Sequence, residues 1–142
     1  MKLETLTPRE ASIFACVCDT VVAPRPALPP VHETDAVEFL DRWLAMAPRS
    51  NRLALRALLY AAELAPRALG RRGRLRGLTE AERAAVLARL ERSTRAHDLV
   101  KLLQGIAVFA YYGDDRVMLR LGYDPDANLE RARELRARER RP

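Results

Sequence analysis

Residues 98–125, DLVKLLQGIAVFAYYGDDRVMLRLGYDP, form the longest apolar-dominated run of the chain without an interior proline. Leu99, Val100, Leu102, Leu103, Ile106, Ala107, Phe109 and Ala110 cover more than one face of a helix. A helix that is apolar over most of its circumference belongs inside a bundle. The run then reaches Tyr111, Tyr112 and Gly113, the acid pair Asp114 and Asp115, a short amphipathic turn (Val117, Leu119, Leu121), and the tight sequence Gly122-Tyr123-Asp124-Pro125. The expected structure is a buried central helix followed by a shaped, aromatic-lined corner.

The segments before it read as helices that could surround it. Thr7-Pro8-Arg9-Glu10 is a capping box with proline at the first helical position, predicting a helix from Pro8 to about Val22. Its Ile13, Phe14, Val17 and Val21 share a face expected to pack on the central helix, with Leu6 and Cys18 at the edges. Residues 23–33 (APRPALPPVHE) hold four prolines, Pro24, Pro26, Pro29 and Pro30. Proline removes donors and disfavours helix before itself, so this is a stiff, extended loop. A second helix is expected from Ala36 to about Ala47, capped by Thr34 or Asp35, with Val37, Leu40, Trp43, Leu44 and Ala47 as an inward stripe beside Phe39. A third, capped by Ser50 or Asn51, should reach about Leu64 and stop before Pro66. Residues 66–77 (PRALGRRGRLRG) read as a flexible basic loop. Thr79-x-x-Glu82 is a second capping box, opening a fourth helix over about Glu80–Arg92 with Ala85, Val86, Leu87 and Leu90 inward. Ser93 or Thr94 should cap the central helix. Asp114 and Asp115 are placed to cap the short helix after it. The tail, 127–142, is nearly all Arg, Glu, Ala and Leu and reads as a solvated helix outside the core. The fold class is therefore all-α: a single-domain bundle of about five to six helices, residues 1–126, with a charged tail.

At 142 residues the chain can bury a full core without disulfides or metals. Ala, Leu, Arg and Glu dominate, and β-branched residues are scarce. The net charge is +6, almost all of the cations being Arg. Guanidinium groups suit phosphate, so a basic helical module binding nucleic acid or another acidic partner is one alternative function. Against it, the cations cluster only at Arg67–Arg76 and the C-terminus, and no aromatic residues are interleaved there for base stacking. Cys16 and Cys18 lie two residues apart in a helix, about 200° around it, and should not bridge each other. With only His32 and His97 besides, no metal-site spacing appears. The start, MKLETLTPRE, has neither a long apolar core nor a twin arginine, and no uncharged stretch approaches the ~20 residues a membrane helix needs. A cytoplasmic location is expected.

Catalysis requires convergent polar groups, and none stands out. His97 beside Asp98 is the nearest to a tuned base, and reads better as structural. No catalytic, metal-binding or cofactor-binding residue is predicted.

One resemblance carries further. The opening LTPREASIFACVCDTVVAP, through Leu6, Thr7, Glu10, Cys18, Asp19, Thr20, Val21, Val22 and Pro24, resembles the start of the gluconate 2-dehydrogenase subunit 3 family. Residues 109–117 (FAYYGDDRV) and 121–124 (LGYD) are similar to that family's closing Tyr-containing and Ile-Gly-Tyr segments. The likeness spans about residues 5 to 126. Two departures stand beside it: the missing twin arginine, and Pro125 where the family often continues with Gly. The resemblance implies a small helical, non-catalytic accessory subunit that binds, stabilises or helps mature a flavin-dependent oxidoreductase of the glucose–methanol–choline class. FAD and the catalytic base would then belong to the partner, and neither nucleic acid nor membrane is an expected partner. On that reading Trp43, Pro24, Pro26, Pro29, Pro30, Tyr111, Tyr112, Tyr123 and Asp124 form or shape the partner surface.

Overall fold

The computed structural model describes residues 3–139, and within them the protein is all-helical. Seven α-helices form: α1 (Pro8–Val22), α2 (Ala36–Met46), α3 (Arg49–Ala68), α4 (Glu80–Glu91), α5 (His97–Tyr112), α6 (Asp115–Arg120) and α7 (Pro125–Glu139). Single 3-10 turns occupy Val31–Glu33 and Leu75–Gly77. The count is slightly above the expected five to six: the short helix after Gly113 is the sixth, and the charged tail, read as a helix outside the bundle, is the seventh. None of the described helices is long and apolar enough to cross a membrane.

The start of α1 is the capping box read from the sequence. The Glu10 amide donates to Thr7 Oγ1 (3.2 Å), and the Thr7 amide donates to Glu10 Oε2 (2.8 Å). Ile13, Phe14 and Val17 are fully buried, and α1 packs most extensively against α5. The helix ends at Ala23 with φ 42°, a left-handed conformation that a non-glycine residue adopts only at some cost.

In α2 the core face is Val37, Leu40 and Leu44, joined by Asp41. That carboxylate is buried because it is occupied: it accepts from the Glu4 (2.7 Å), Thr5 (2.9 Å) and Leu6 (2.7 Å) amides, tying the N-terminal segment across α2. Burial alone would raise its pKa. The three amides and Arg42 outweigh that and hold it below the usual carboxylate value. Trp43, expected in the core, is 43% exposed. Leu40 and Leu44 take the inward direction, and Trp43 falls to the side of their row.

Helix α3 does not stop near Leu64. It continues through Pro66 to Ala68 and closes at Gly70 (φ 76°), with the Arg71 amide donating to the Pro66 carbonyl (2.8 Å). Ala65 and Pro66 are both buried, and that burial offsets the donor that proline removes. No side chain caps the start; the helix begins at Arg49, ahead of both Ser50 and Asn51. Residues 66–77 are likewise not a free loop. Leu75 is fully buried, and Arg76 reaches the fully buried Glu63 (Nε–Oε1 3.0 Å) and Ser12 Oγ (3.0 Å).

The second capping box forms at Thr79 and Glu82. Val86 and Leu87 face inward and Ala85 is exposed. Neither Ser93 nor Thr94 caps α5 through its side chain. The Ser93 carbonyl instead accepts from the Ala96 (3.1 Å) and His97 (2.9 Å) amides in a turn that leads into the helix. The largest departure concerns α5 itself. Val100, Leu103, Ala107, Ala110 and Tyr111 are buried, but Leu99, Leu102 and Phe109 are 53%, 55% and 68% exposed. The central helix is buried on one side only.

Candidate functional site

Two surfaces combine shape with exposed apolar side chains. The first is the corner at the end of α5. Tyr111 is wholly inside, and its hydroxyl donates to the Pro29 carbonyl (2.6 Å). This residue was expected at or near a partner surface. It offers no contact area and acts as a strut that fixes the proline loop to the bundle. Burial, and then the neighbouring Tyr112 and Asp114, raise its phenol pKa. Tyr112 meets Tyr111 edge-on, with ring centroids 5.1 Å apart, and is itself exposed.

Asp114 caps α6 as expected. Its Oδ1 accepts from the Arg116 (2.8 Å) and Val117 (3.4 Å) amides, and its Oδ2 accepts from the Asp35 amide (2.7 Å) at the start of α2. Arg116 bridges Asp114 (3.2 Å) and Asp35 (2.6 Å). Burial opposes ionisation of Asp114, but the Asp35 amide and Arg116 overcome it and hold the pKa low. One carboxylate thus joins the start of α2 to the α5–α6 turn. Asp35 makes no side-chain cap of its own. Helix α6 ends in a Schellman motif: the Tyr123 amide donates to the Met118 carbonyl (2.9 Å) and the Gly122 amide to the Leu119 carbonyl (3.0 Å), with Gly122 at φ 77°. Asp124 then caps α7, accepting from the Asp126 (3.0 Å) and Ala127 (3.1 Å) amides. Leu119, Leu121 and Tyr123 remain exposed around this turn. A hollow of about 530 Å³ lies between the loop and α6, lined by Pro29, Glu33, Arg116, Leu119 and Arg120. Pro24, Pro29 and Pro30 are half-buried and Pro26 is exposed.

The second surface is an apolar groove of about 460 Å³ between α2 and α5. Phe39 and Trp43 form one wall, and Leu102, Ile106 and Phe109 the other, with Gly105 between them. The Phe39 and Phe109 rings are 5.5 Å apart. Of the residues expected at a partner surface, only Trp43 lies here. Leu102, Ile106 and Phe109 were read as core. The signal that could have separated them is Gly105, a residue with no packing value in the middle of an apolar helix. A second signal is the pair of parallel rows, 99-102-106-109 beside 100-103-107-110.

The remaining candidates have structural partners. His97 Nδ1 contacts the Glu91 carbonyl (2.7 Å), closing the α4–α5 joint, while Lys101 and Gln104 hold the Glu91 carboxylate. Cys16 and Cys18 are free thiols buried in the core, and burial pushes the Cys18 thiol up to about 12. Arg83 donates to Cys16 Sγ (3.1 Å) and pairs with Asp19 (3.4 Å). In the basic segment Arg67, Arg71 and Arg76 are engaged by the Gly73 carbonyl, Glu82 and Glu63. Three of its five guanidinium groups are therefore bound within the chain. Among the described residues no three His, Cys, Asp or Glu side chains converge as a metal site would require. No family model matches the chain, and no curated protein or solved structure matches it.

Proposed function

We propose that this protein is a non-catalytic accessory subunit that binds and stabilises, or helps to mature, an FAD-dependent oxidoreductase of the glucose–methanol–choline class. The observation that carries this reading is the corner at the end of α5. There the sequence most similar to the gluconate 2-dehydrogenase subunit 3 family coincides with exposed, rigidly held apolar side chains. Tyr112, Leu119, Leu121 and Tyr123 are exposed within twelve residues, and Tyr111 and Asp114 anchor the backbone beneath them. Rigid aromatic side chains give contact area at low entropic cost. The stiff Pro24–Pro30 loop, held by Tyr111, extends the same surface. Flavin and catalytic base reside in the partner on this reading, and the resulting complex is a hetero-oligomer.

The test is co-expression with a glucose–methanol–choline flavoprotein from the same genome. The flavoprotein should gain solubility and flavin content from this chain, and a Tyr123→Asp, Leu121→Asp double variant should lose that effect while keeping its helical content. A flavoprotein that is soluble, flavin-loaded and fully active without this chain would end the proposal.

A further inference from the structure

We propose that the connection between α3 and α4 is an anion site, whose tip, residues 71–74, binds the phosphates of a pyrophosphate or short polyphosphate group. The site shares no residue with the α5–α6 corner or the proline loop, and it does not rest on the flavoprotein reading.

The tip is pinned at both ends. Helix α3 closes in a Schellman motif: the Arg71 amide donates to the Pro66 carbonyl (2.8 Å) and the Gly70 amide to the Arg67 carbonyl (3.0 Å), with Gly70 at φ 76°. After the tip, Leu75 is fully buried and the Gly77 amide donates to the Arg74 carbonyl (2.9 Å). Arg76 is held by Glu63 and Ser12. Between these anchors Arg67 Nε donates to the Gly73 carbonyl (3.2 Å), and Gly73 takes φ 102°, a conformation that favours glycine. A loop shaped in advance gives up little conformational freedom when it binds.

Most of the positive charge on this connection is not cancelled inside the chain. Arg76 and Glu63 neutralise each other. Arg67 gives only its Nε, and to a neutral carbonyl, so its charge remains. Arg71 comes no closer than 3.9 Å to Glu82, an acid that Thr79 already engages in the capping box. Arg72 and Arg74 meet no carboxylate among the described residues. Arg67, Arg71, Arg72 and Arg74 are thus four exposed cations between residues 67 and 74, with Glu80 and Glu82 of the first turn of α4 the nearest acids in sequence. The amides of Arg72, Gly73 and Arg74 also find no acceptor among the described residues. Guanidinium forks and unpaired backbone amides are the donors that phosphate oxygens take. Linked phosphates carry several charges within a short span, and so answer a tip of several cations better than single carboxylates do. No aromatic residue lies between 66 and 79 to stack a base. Leu69, Leu75 and Leu78 are buried or half-buried, leaving no apolar anchor for a membrane surface.

Calorimetric titration of the full chain with tripolyphosphate at low salt, with amide NMR alongside, is the test. Tripolyphosphate should bind, more weakly as salt is added, and the Gly73 amide signal should be among those that move. ATP bound no better than tripolyphosphate assigns the site to phosphates alone, and ATP bound better assigns it to a nucleotide's phosphates. The Arg72→Gln, Arg74→Gln double variant touches no internal partner and should lower affinity about tenfold or more at unchanged helicity. Gly73→Ala keeps every charge and meets nothing within 4 Å, but strains the tip backbone, and should also weaken binding. Arg92→Gln with Arg95→Gln removes the same charge from exposed positions elsewhere and should leave binding unchanged. No binding of tripolyphosphate overturns the proposal. So does an equal loss in the two double variants, which would mean that only the net charge of +6 is felt. Duplex DNA or oligoglutamate bound while tripolyphosphate is not would overturn it as well. None of these outcomes bears on whether the flavoprotein is stabilised, which is scored through the corner variants.

Discussion

The two long faces of α5 are made of the same kinds of residue and meet different fates. The inner row, Val100, Leu103, Ala107 and Ala110, is covered by α1, α4 and α2. The outer row, Leu99, Leu102, Ile106 and Phe109, is bare or half-bare. Apolar area drives association only when something removes it from water. The inner row therefore contributes to folding, and the outer row contributes far less to it. Large exposed apolar patches on a small protein are interaction surfaces or liabilities, not neutral decoration. The clearest test of the contrast compares adjacent residues. Leu103→Ala empties a buried site and should cost about 2–5 kcal/mol. Leu102→Ala should cost less than about 1 kcal/mol, because half of that side chain is already wet. Urea unfolding measures both. Equal costs would mean that the two faces are not distinct.

A second pair of sites extends the contrast to charge. Asp41 and Asp114 are buried carboxylates whose oxygens are held by backbone amides from distant segments. Asp41→Ala or Asp114→Ala leaves those amides without acceptors and should cost about 1–3 kcal/mol each. Both groups have folded-state pKa values below their ordinary ones. Their contribution is complete above the unfolded carboxylate value of about 3.9 and is lost as pH falls from there through the lower folded value. The wild type should therefore lose stability on acidification below about pH 4. Asp41→Asn should flatten that limb of the profile, as read by thermal unfolding across pH, while leaving the region from pH 5 to 8 flat.

How much of this was legible in the sequence depended on whether the signal was local. Both capping boxes, the Asp114 cap and the order of the helices follow from residues within four positions of one another, and all of them form. The errors arose where a distant neighbour decides. Pro66 looks like a stop until Ala65 and Pro66 are buried. Residues 66–77 look free until Arg76 finds Glu63, thirteen residues earlier. Asp41 was silent as an anchor, although an acid in the row Val37, Leu40, Leu44 does announce an internal partner. For α5 the composition was read correctly and the environment was not. A period of 3.6 shows which residues share a face, but not whether the bundle has enough helices to cover every face. The corner was legible as a shaped turn, and only its coordinates separate Tyr111, a buried strut, from Tyr112 and Tyr123, which face outward.

That strut supplies a smaller effect. Tyr111→Phe keeps the buried ring and removes only the hydroxyl that donates to the Pro29 carbonyl. It should cost about 0.5–1.5 kcal/mol. Because the bond is one of the few ties on the proline loop, hydrogen exchange of the Leu28 amide, which donates to the Arg25 carbonyl inside that loop, should speed up more than global unfolding does. Exchange and unfolding that change in step would show that the loop is held by its prolines alone.

The smallest effect returns to α5 and carries opposite signs on its two sides. Gly105 sits mid-helix with ordinary helical backbone and open space above it, so nothing in the monomer requires glycine there. Gly105→Ala should stabilise the isolated chain by about 0.5–1 kcal/mol through reduced freedom of the unfolded backbone. Ala107 is fully buried on the covered side, so the converse change there, Ala107→Gly, should cost about 1 kcal/mol or more. Urea unfolding reads both, and a loss at Gly105→Ala would show that the open space above the glycine is used within the chain.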